Sequence, residues 1–367
     1  MSLSVGIVGL PNVGKSTLFN ALSSKQAEAA NYAFCTIEPN VGIVPVPDPR
    51  FDALVKLFEP RKLVPAAVEF VDIAGLVRGA SKGEGKGNAF LSHIREVHAI
   101  AHVVRCFEDD NILHVDNRVD PIRDIETIEM ELILKDLETV QKRLDKARRA
   151  SKGNSAGEKL AVEVCEKLEA ALSEGNHARS LSWGDEQAQA LVRDLGLLTQ
   201  KPMFYVANVK ESQMTELASD PLVAKVRSWA EERQMPWVVI SAAIEAEIMA
   251  LPPEERGDFL QSLALEEPGL NQVIRTGYAI LDLITFFTAG PSEVHAWTLR
   301  RGTKAPQAAG SIHSDFERGF IRAEVIAWDV LVECGSEAAA RSAGKMAIEG
   351  KEYVVRDGDV IHVRFNV

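Results

Sequence analysis

Residues 9–16 read Gly9-Leu10-Pro11-Asn12-Val13-Gly14-Lys15-Ser16, and the reading of this octet decides the fold. It has the GxxxxGKS spacing, with an apolar strand-like run before it (residues 3–8) and a helical pattern starting near Ser16. The glycines let the backbone bend until successive N–H groups point inward, and the helix N-terminus adds its partial positive charge. Together these make a cradle for phosphate oxygens. Lys15 is placed to reach the β- and γ-phosphates and Ser16 to hold Mg2+ through its hydroxyl, so Asn12, Val13, Gly14, Lys15, Ser16 and Thr17 are the first candidate nucleotide-binding residues.

Outward from the loop, short Val- and Ile-rich runs recur at 41–46, 67–72, 99–105, 203–207 and 236–240, with helical patterns between most of them. With the run at 3–8 they predict a doubly wound parallel α/β sheet, the P-loop NTPase arrangement of the G-domain type. Nearly a hundred residues of helix-like sequence separate the runs at 99–105 and 203–207, which marks an insertion. Within it Met130, Ile133, Leu137, Val140, Leu144 and Ala147 step by threes and fours, a coiled-coil seam. After a turn at 151–157, Leu160, Val164, Leu168 and Ala171 form a second stripe, predicting an antiparallel helical hairpin; two ordinary core helices are the alternative. From about Leu281 short strand-like pieces (294–299, 321–325, 353–355, 359–365) with Gly-rich turns predict a small α+β domain. The expected division is 1–125 and 199–280 for the two parts of the nucleotide domain, 126–198 for the hairpin, and 281–367 for the last domain.

The 367 residues suffice for several cores, with 46% apolar residues, 26% charged and a net charge of −12. An acidic surface argues against a protein that coats nucleic acid, although a local basic patch is compatible with it. Cys35, Cys106, Cys165 and Cys334 form no CxxC pair, which leaves neither a disulfide framework nor a zinc site in view. No apolar run approaches the roughly 20 residues that span a bilayer, and the expected location is the cytoplasm.

A phosphate loop alone does not distinguish a metabolic kinase from a switch. Asp72-Ile73-Ala74-Gly75 follows the strand at 67–72 and supplies DxxG, in which Asp72 holds the Mg2+ shell through water and the Gly75 N–H meets the γ-phosphate. Upstream, Thr36 stands where a switch threonine completes Mg2+ coordination, so Ser16, Thr36 and Asp72 are the candidate metal residues. The usual guanine reader is NKxD. Here the chain has Asn208-Val209-Lys210-Glu211, with a carboxylate one methylene longer and Val209 in place of the lysine, which moves the expected preference from GTP toward ATP. Ser241 and Ala242 end the next strand, where a further base-side loop offers backbone contacts. Leu76 stands where Ras-like enzymes carry the glutamine that orients water. A substitute is needed, and His114 is the candidate; a plain surface-loop histidine is the alternative reading.

The phosphate loop, the stretches 31–40 (NYAFCTIEPN) and 70–87 (FVDIAGLVRGASKGEGKG), the NxxE site and the last domain together resemble the Obg-related YchF family of ribosome-associated ATPases. The resemblance spans essentially the whole chain. It implies a G domain interrupted by a coiled-coil hairpin, a ubiquitin-like β-grasp (TGS) domain at the end, and ATP preferred over GTP. It also implies adenine contacts from Asn208 and Val209 with Phe107 nearby, water activation by His114, and ribosome binding, with the large subunit as the expected partner. Asn12 resembles the asparagine that in some related NTPases helps hold K+. A conventional regulatory GTPase and a non-catalytic adaptor stabilised by nucleotide are the competing readings.

One feature comes from the residues alone. Lys142, Arg143, Lys146, Arg148, Arg149 and Lys152 gather positive charge near the hairpin turn, offset by Asp145. A helix C-terminus favours a cation or two through its dipole. The surplus predicts a contact with rRNA phosphates.

Overall fold

The computed structural model describes residues 3–28, 40–73, 86–151 and 156–366. Its chain divides into two compact units, one built from Met1–Ser24, Glu38–Gly42 and Glu69–Val273, the other from Lys25–Ile37, Ile43–Val68 and Ile274–Val367.

The first unit is a doubly wound sheet. Strands β1 (Ser4–Val8), β2 (Val41–Pro45), β4 (Ala67–Asp72), β5 (Ala99–Arg105), β6 (Met203–Asn208) and β7 (Trp237–Ile240) line up in the order β2-β4-β1-β5-β6-β7. Pairing is parallel from β4 through β7. The runs read as strands in the sequence are those strands, because a parallel sheet covered on both faces demands continuous apolar stretches: β1, β5 and β6 are buried at every position. Helices α1 (Lys15–Glu28), α3 (Lys86–Glu96), α7 (Pro221–Glu232) and α8 (Ala242–Ala250) accompany them.

The insertion is α4 (Pro121–Ser151) and α5 (Ala156–Ser173), followed by α6 (Glu186–Leu195). Ile133, Val140 and Leu144 of α4 pack with Val164, Cys165, Leu168 and Leu172 of α5, with Leu137 and Leu160 at the margin. Met130, expected in the seam, is 48% exposed. Buried Ile125, Ile128 and Leu132 set the inward face of the first turns, and a residue two positions from Ile128 and from Leu132 lies about 200° away around the helix. Asp136, fully buried, anchors the long helix: Oδ1 accepts the Leu198 N–H at 2.8 Å, and Oδ2 accepts the Thr199 N–H at 2.7 Å and hydroxyl at 2.6 Å.

In the second unit, β8 (Leu283–Ala289) and β9 (Glu293–Arg300) form an antiparallel hairpin, β12 (Asp359–Phe365) lies parallel to β8, and β10 (Phe320–Ala327) is antiparallel to β12. The sheet order is β11-β10-β12-β8-β9-β3, where β11 is Ala347–Glu349. Helix α9 (Ala305–Ile312) buries Ala305, Ala308 and Ala309 against Phe286, Leu299, Ala323 and Ile361. A central parallel pair crossed by one helix is the β-grasp plan. Residues 353–355, read as strand, make only an isolated bridge from Val354 to Lys304.

The edge strand β3 (Lys62–Val64) was not anticipated: it joins this sheet parallel to β9, with Lys62 and Glu293 ion-paired at 2.6 Å. Helix α2 (Pro49–Phe58) belongs to the same unit and holds Arg50 at 2.9 Å from Asp357. The stretch Ile43–Val68, which carries α2 and β3, is thus counted with the second unit.

Candidate functional site

The octet 9–16 forms the link from β1 to α1. Glycine at position 9 is dictated by close approach, since a Cβ there would sit 2.5 Å from the Val103 carbonyl oxygen. Gly14 has φ +98°, and a Cβ would lie 2.2 Å from Asn208 Nδ2. Asn12 takes the left-handed conformation that asparagine tolerates, φ 61°.

Lys15 lies buried across the loop, its Nζ donating to the Leu10 carbonyl at 2.7 Å. Burial lowers its pKa to about 8, partly opposed by the Asp72 carboxylate. Ser16 Oγ donates to Asp72 Oδ2 at 3.4 Å, and burial raises the Asp72 pKa. Asp72 Oδ1 is buried with no hydrogen-bond partner among the described residues. An anionic oxygen without a donor, beside a hydroxyl and an ammonium, is a fit for a hydrated divalent cation. Thr36 and Gly75 lie outside the described residues.

Beside the phosphate loop is a pocket of about 570 Å3, lined by Asn12, Gly14, Thr17, Phe107, Ile112, Asn208, Val209, Glu211 and Ala242 among others. Asn208 stands in its wall with both ends of its side chain engaged: Nδ2 donates to the Val13 carbonyl at 2.9 Å and Oδ1 accepts the Ala242 N–H at 2.9 Å, which leaves one amide hydrogen and one lone pair. It braces the phosphate loop against the start of α8, while Ser241 Oγ caps that helix. The apolar side of the pocket comes from Phe107 and the buried Val209. Lys210 pairs with Asp109 at 2.9 Å, both lining the pocket, and Glu211 opens a 3-10 turn at the rim. Nothing here reproduces the lysine-over-purine and aspartate pair that reads guanine.

The loop after β5 was legible only in part. Arg105, the last residue of β5, is 1% exposed; its guanidinium donates from Nε to the Phe107 carbonyl (3.0 Å), from one Nη to Ile112 (3.0 Å) and from the other to Asp109 (3.3 Å). Its carbon also lies 4.6 Å from the Phe107 ring centroid. The available signal was a charged residue ending an apolar strand. Asn12 Nδ2 fastens the middle of the loop, donating to the Leu113 carbonyl at 3.1 Å. His114 is buried: Nδ1 accepts the Asp116 N–H at 3.1 Å, which leaves the ring hydrogen on Nε2 to donate to Asp124 Oδ2 at 2.8 Å. Asp124, in the first turn of α4, carried no sequence signal for this partnership.

At the hairpin end the basic cluster is partly neutralised. Arg143 pairs with Glu158 at 2.9 Å and Arg148 with Glu166 at 2.9 Å, and Lys142 pairs with Glu138. Lys146 and Arg149 are exposed, and Lys152 lies outside the described residues.

Residues 4–137 match a family described as 50S ribosome-binding GTPase, and residues 283–366 match the family YchF-GTPase_C, described as a protein of unknown function. The chain is 55% identical to the ribosome-binding ATPase YchF of Bacillus subtilis over the full length of both. It is 48% identical to Obg-like ATPase 1 of Oryza sativa subsp. japonica, covering all of this chain and 92% of that one. The structure of the Schizosaccharomyces pombe YchF GTPase superposes with a TM-score of 0.89 at 41% identity, over 99% of this chain and 98% of that one. The names of these relatives differ on the base, ATPase in two and GTPase in the third.

Proposed function

From the premise that this chain belongs to the Obg-related YchF family of P-loop NTPases, we propose that it binds and hydrolyses ATP in preference to GTP and uses turnover to govern its association with the ribosome. The observation that carries the base preference is the wall of the pocket beside the phosphate loop. Asn208 is occupied as a brace, Lys210 points to Asp109, and Glu211 replaces the short carboxylate. A buried double acceptor is what rewards guanine and is left unpaired by adenine. Without it an apolar slot between Phe107 and Val209 accepts adenine. The regulatory GTPase is the rival reading, and direct competition of ATP and GTP at equal concentration tests it: GTP binding as tightly as ATP overturns the preference. Absence of Mg2+-dependent phosphate release would instead favour the adaptor reading.

The fold uses Mg2+ with its nucleotide, and Ser16 and Asp72, joined by Thr36, would hold it through hydroxyls and water. The ion would supply charge neutralisation between the β- and γ-phosphates. The protein's own contribution would be Lys15, whose ammonium would pass from the Leu10 carbonyl to those phosphates, with the N–H groups of residues 12–17; the sequence offers Gly75 for the γ-phosphate. His114 would orient the attacking water, which requires it to leave Asp124. Asn12 would meet K+ through Oδ1, since its nitrogen is occupied by Leu113; ATPase rates in K+ and Na+ test that assignment. Docking on the large subunit would draw on the hairpin end, with Lys146 and Arg149 as the cations available for rRNA phosphates and Arg143, Arg148, Lys142 and Lys152 as a supporting field.

A further inference from the structure

Arg105 buries a guanidinium where a parallel strand ordinarily ends in an apolar residue, and its hydrogen bonds all go to the single loop that follows. The acceptors are the carbonyls of Phe107, Asp109 and Ile112, so a planar five-donor group gathers the first half of the loop around one point. Its face also lies against the Phe107 ring, whose other surroundings include the pocket beside the phosphate loop. The loop is tied to the nucleotide machinery twice more, through Asn12 to Leu113 and through Lys210 to Asp109. A residue that touched only the strand would need none of these partners.

We propose that Arg105 is a positioning residue for the nucleotide base: it fixes the loop that supplies Phe107, and so sets affinity for the base rather than for the phosphates. The inference rests on the reading of this pocket as the adenine site. A lysine in its place keeps the charge but presents one compact donor group, which cannot span three carbonyls.

The test compares ligands with and without a base. Arg105→Lys should weaken ATP binding about tenfold, the scale of losing one or two charge-assisted hydrogen bonds that hold the wall in place. Binding of inorganic tripolyphosphate with Mg2+ should stay within about twofold, because it has no base to meet Phe107. Equal loss for ATP and tripolyphosphate, or no loss for either, overturns the proposal. Arg105→Gln, which retains a donor without a buried charge, is the second variant should the lysine not fold. If neither folds, the residue serves the strand itself and the proposal is also overturned. Wild-type protein is measured alongside: if it shows no preference for ATP over GTP, the reading of the pocket fails, whereas an intact wild-type preference with an unaffected variant sinks the Arg105 role alone.

Discussion

Asp124 holds His114 by a buried hydrogen bond of 2.8 Å, and replacing that carboxylate should release the ring. The hydrogen sits on Nε2 because Nδ1 accepts from Asp116, so the contact is a neutral imidazole donating to a charged acceptor. A hydrogen bond to a charged group contributes about 1.5 to 3 kcal/mol and a neutral one about 1 kcal/mol. Asp124→Asn keeps the shape and an acceptor oxygen, and should therefore weaken the hold by about 1 kcal/mol, a shift of about fivefold toward the released ring. Arg123, which also contacts Asp124 Oδ1 at 3.2 Å, retains Asp116 at 3.3 Å, so no cation is orphaned. If His114 acts only after leaving Asp124, single-turnover hydrolysis at saturating Mg-ATP should rise about fivefold in Asp124→Asn while ATP affinity stays within about twofold. Combining it with His114→Ala should erase the gain. A fall in rate would mean that Asp124 orients His114 for catalysis as a carboxylate orients a histidine in a hydrolytic triad. A gain that persists without His114 would refute the reasoning altogether.

Lys15 supplies a pH dependence with a definite sign. The free site holds it at a pKa of about 8, and bound phosphates favour the ammonium, so binding takes up a proton above pH 8. ATP affinity should be flat below pH 8 and fall by up to about tenfold per pH unit above it, and isothermal titration in buffers of different ionisation enthalpy should detect the proton uptake. Lys15→Ala should abolish that dependence together with most of the binding. At the hairpin end, Lys146→Glu with Arg149→Glu leaves the Arg143–Glu158 and Arg148–Glu166 pairs in place. Ribosome co-sedimentation should weaken and its log–log salt slope should flatten by up to about 2, with free ATP turnover retained; an unchanged slope would return the cluster to a solvated helix end. Asp136→Asn turns one of the two acceptors into an NH2 donor facing the Leu198 or the Thr199 N–H and should cost about 2 to 4 kcal/mol, read as a lower unfolding midpoint of the first unit.

What the chain determined by itself is everything whose physical cause is local. The phosphate loop is legible because its glycines, lysine and serine act within one turn, and the central strands β1, β5 and β6 of the first sheet because double-sided burial makes each a continuous run. The hairpin is legible because a seam repeats along one helix. Tertiary structure alone decided partner choice. Residues 62–64 have no pattern that names β9, more than two hundred residues away, as their neighbour. Asn208 reads in sequence as a base contact, and only the approach of Val13 and Ala242 shows that it also braces the phosphate loop. Arg143 and Arg148 look like free cations until α5 folds back and brings Glu158 and Glu166 to them. His114 looks like a loop histidine until the start of α4 brings Asp124 to its ring. A residue's type fixes which bonds it is able to make, but which bonds it does make depends on surfaces that meet only when the chain has folded.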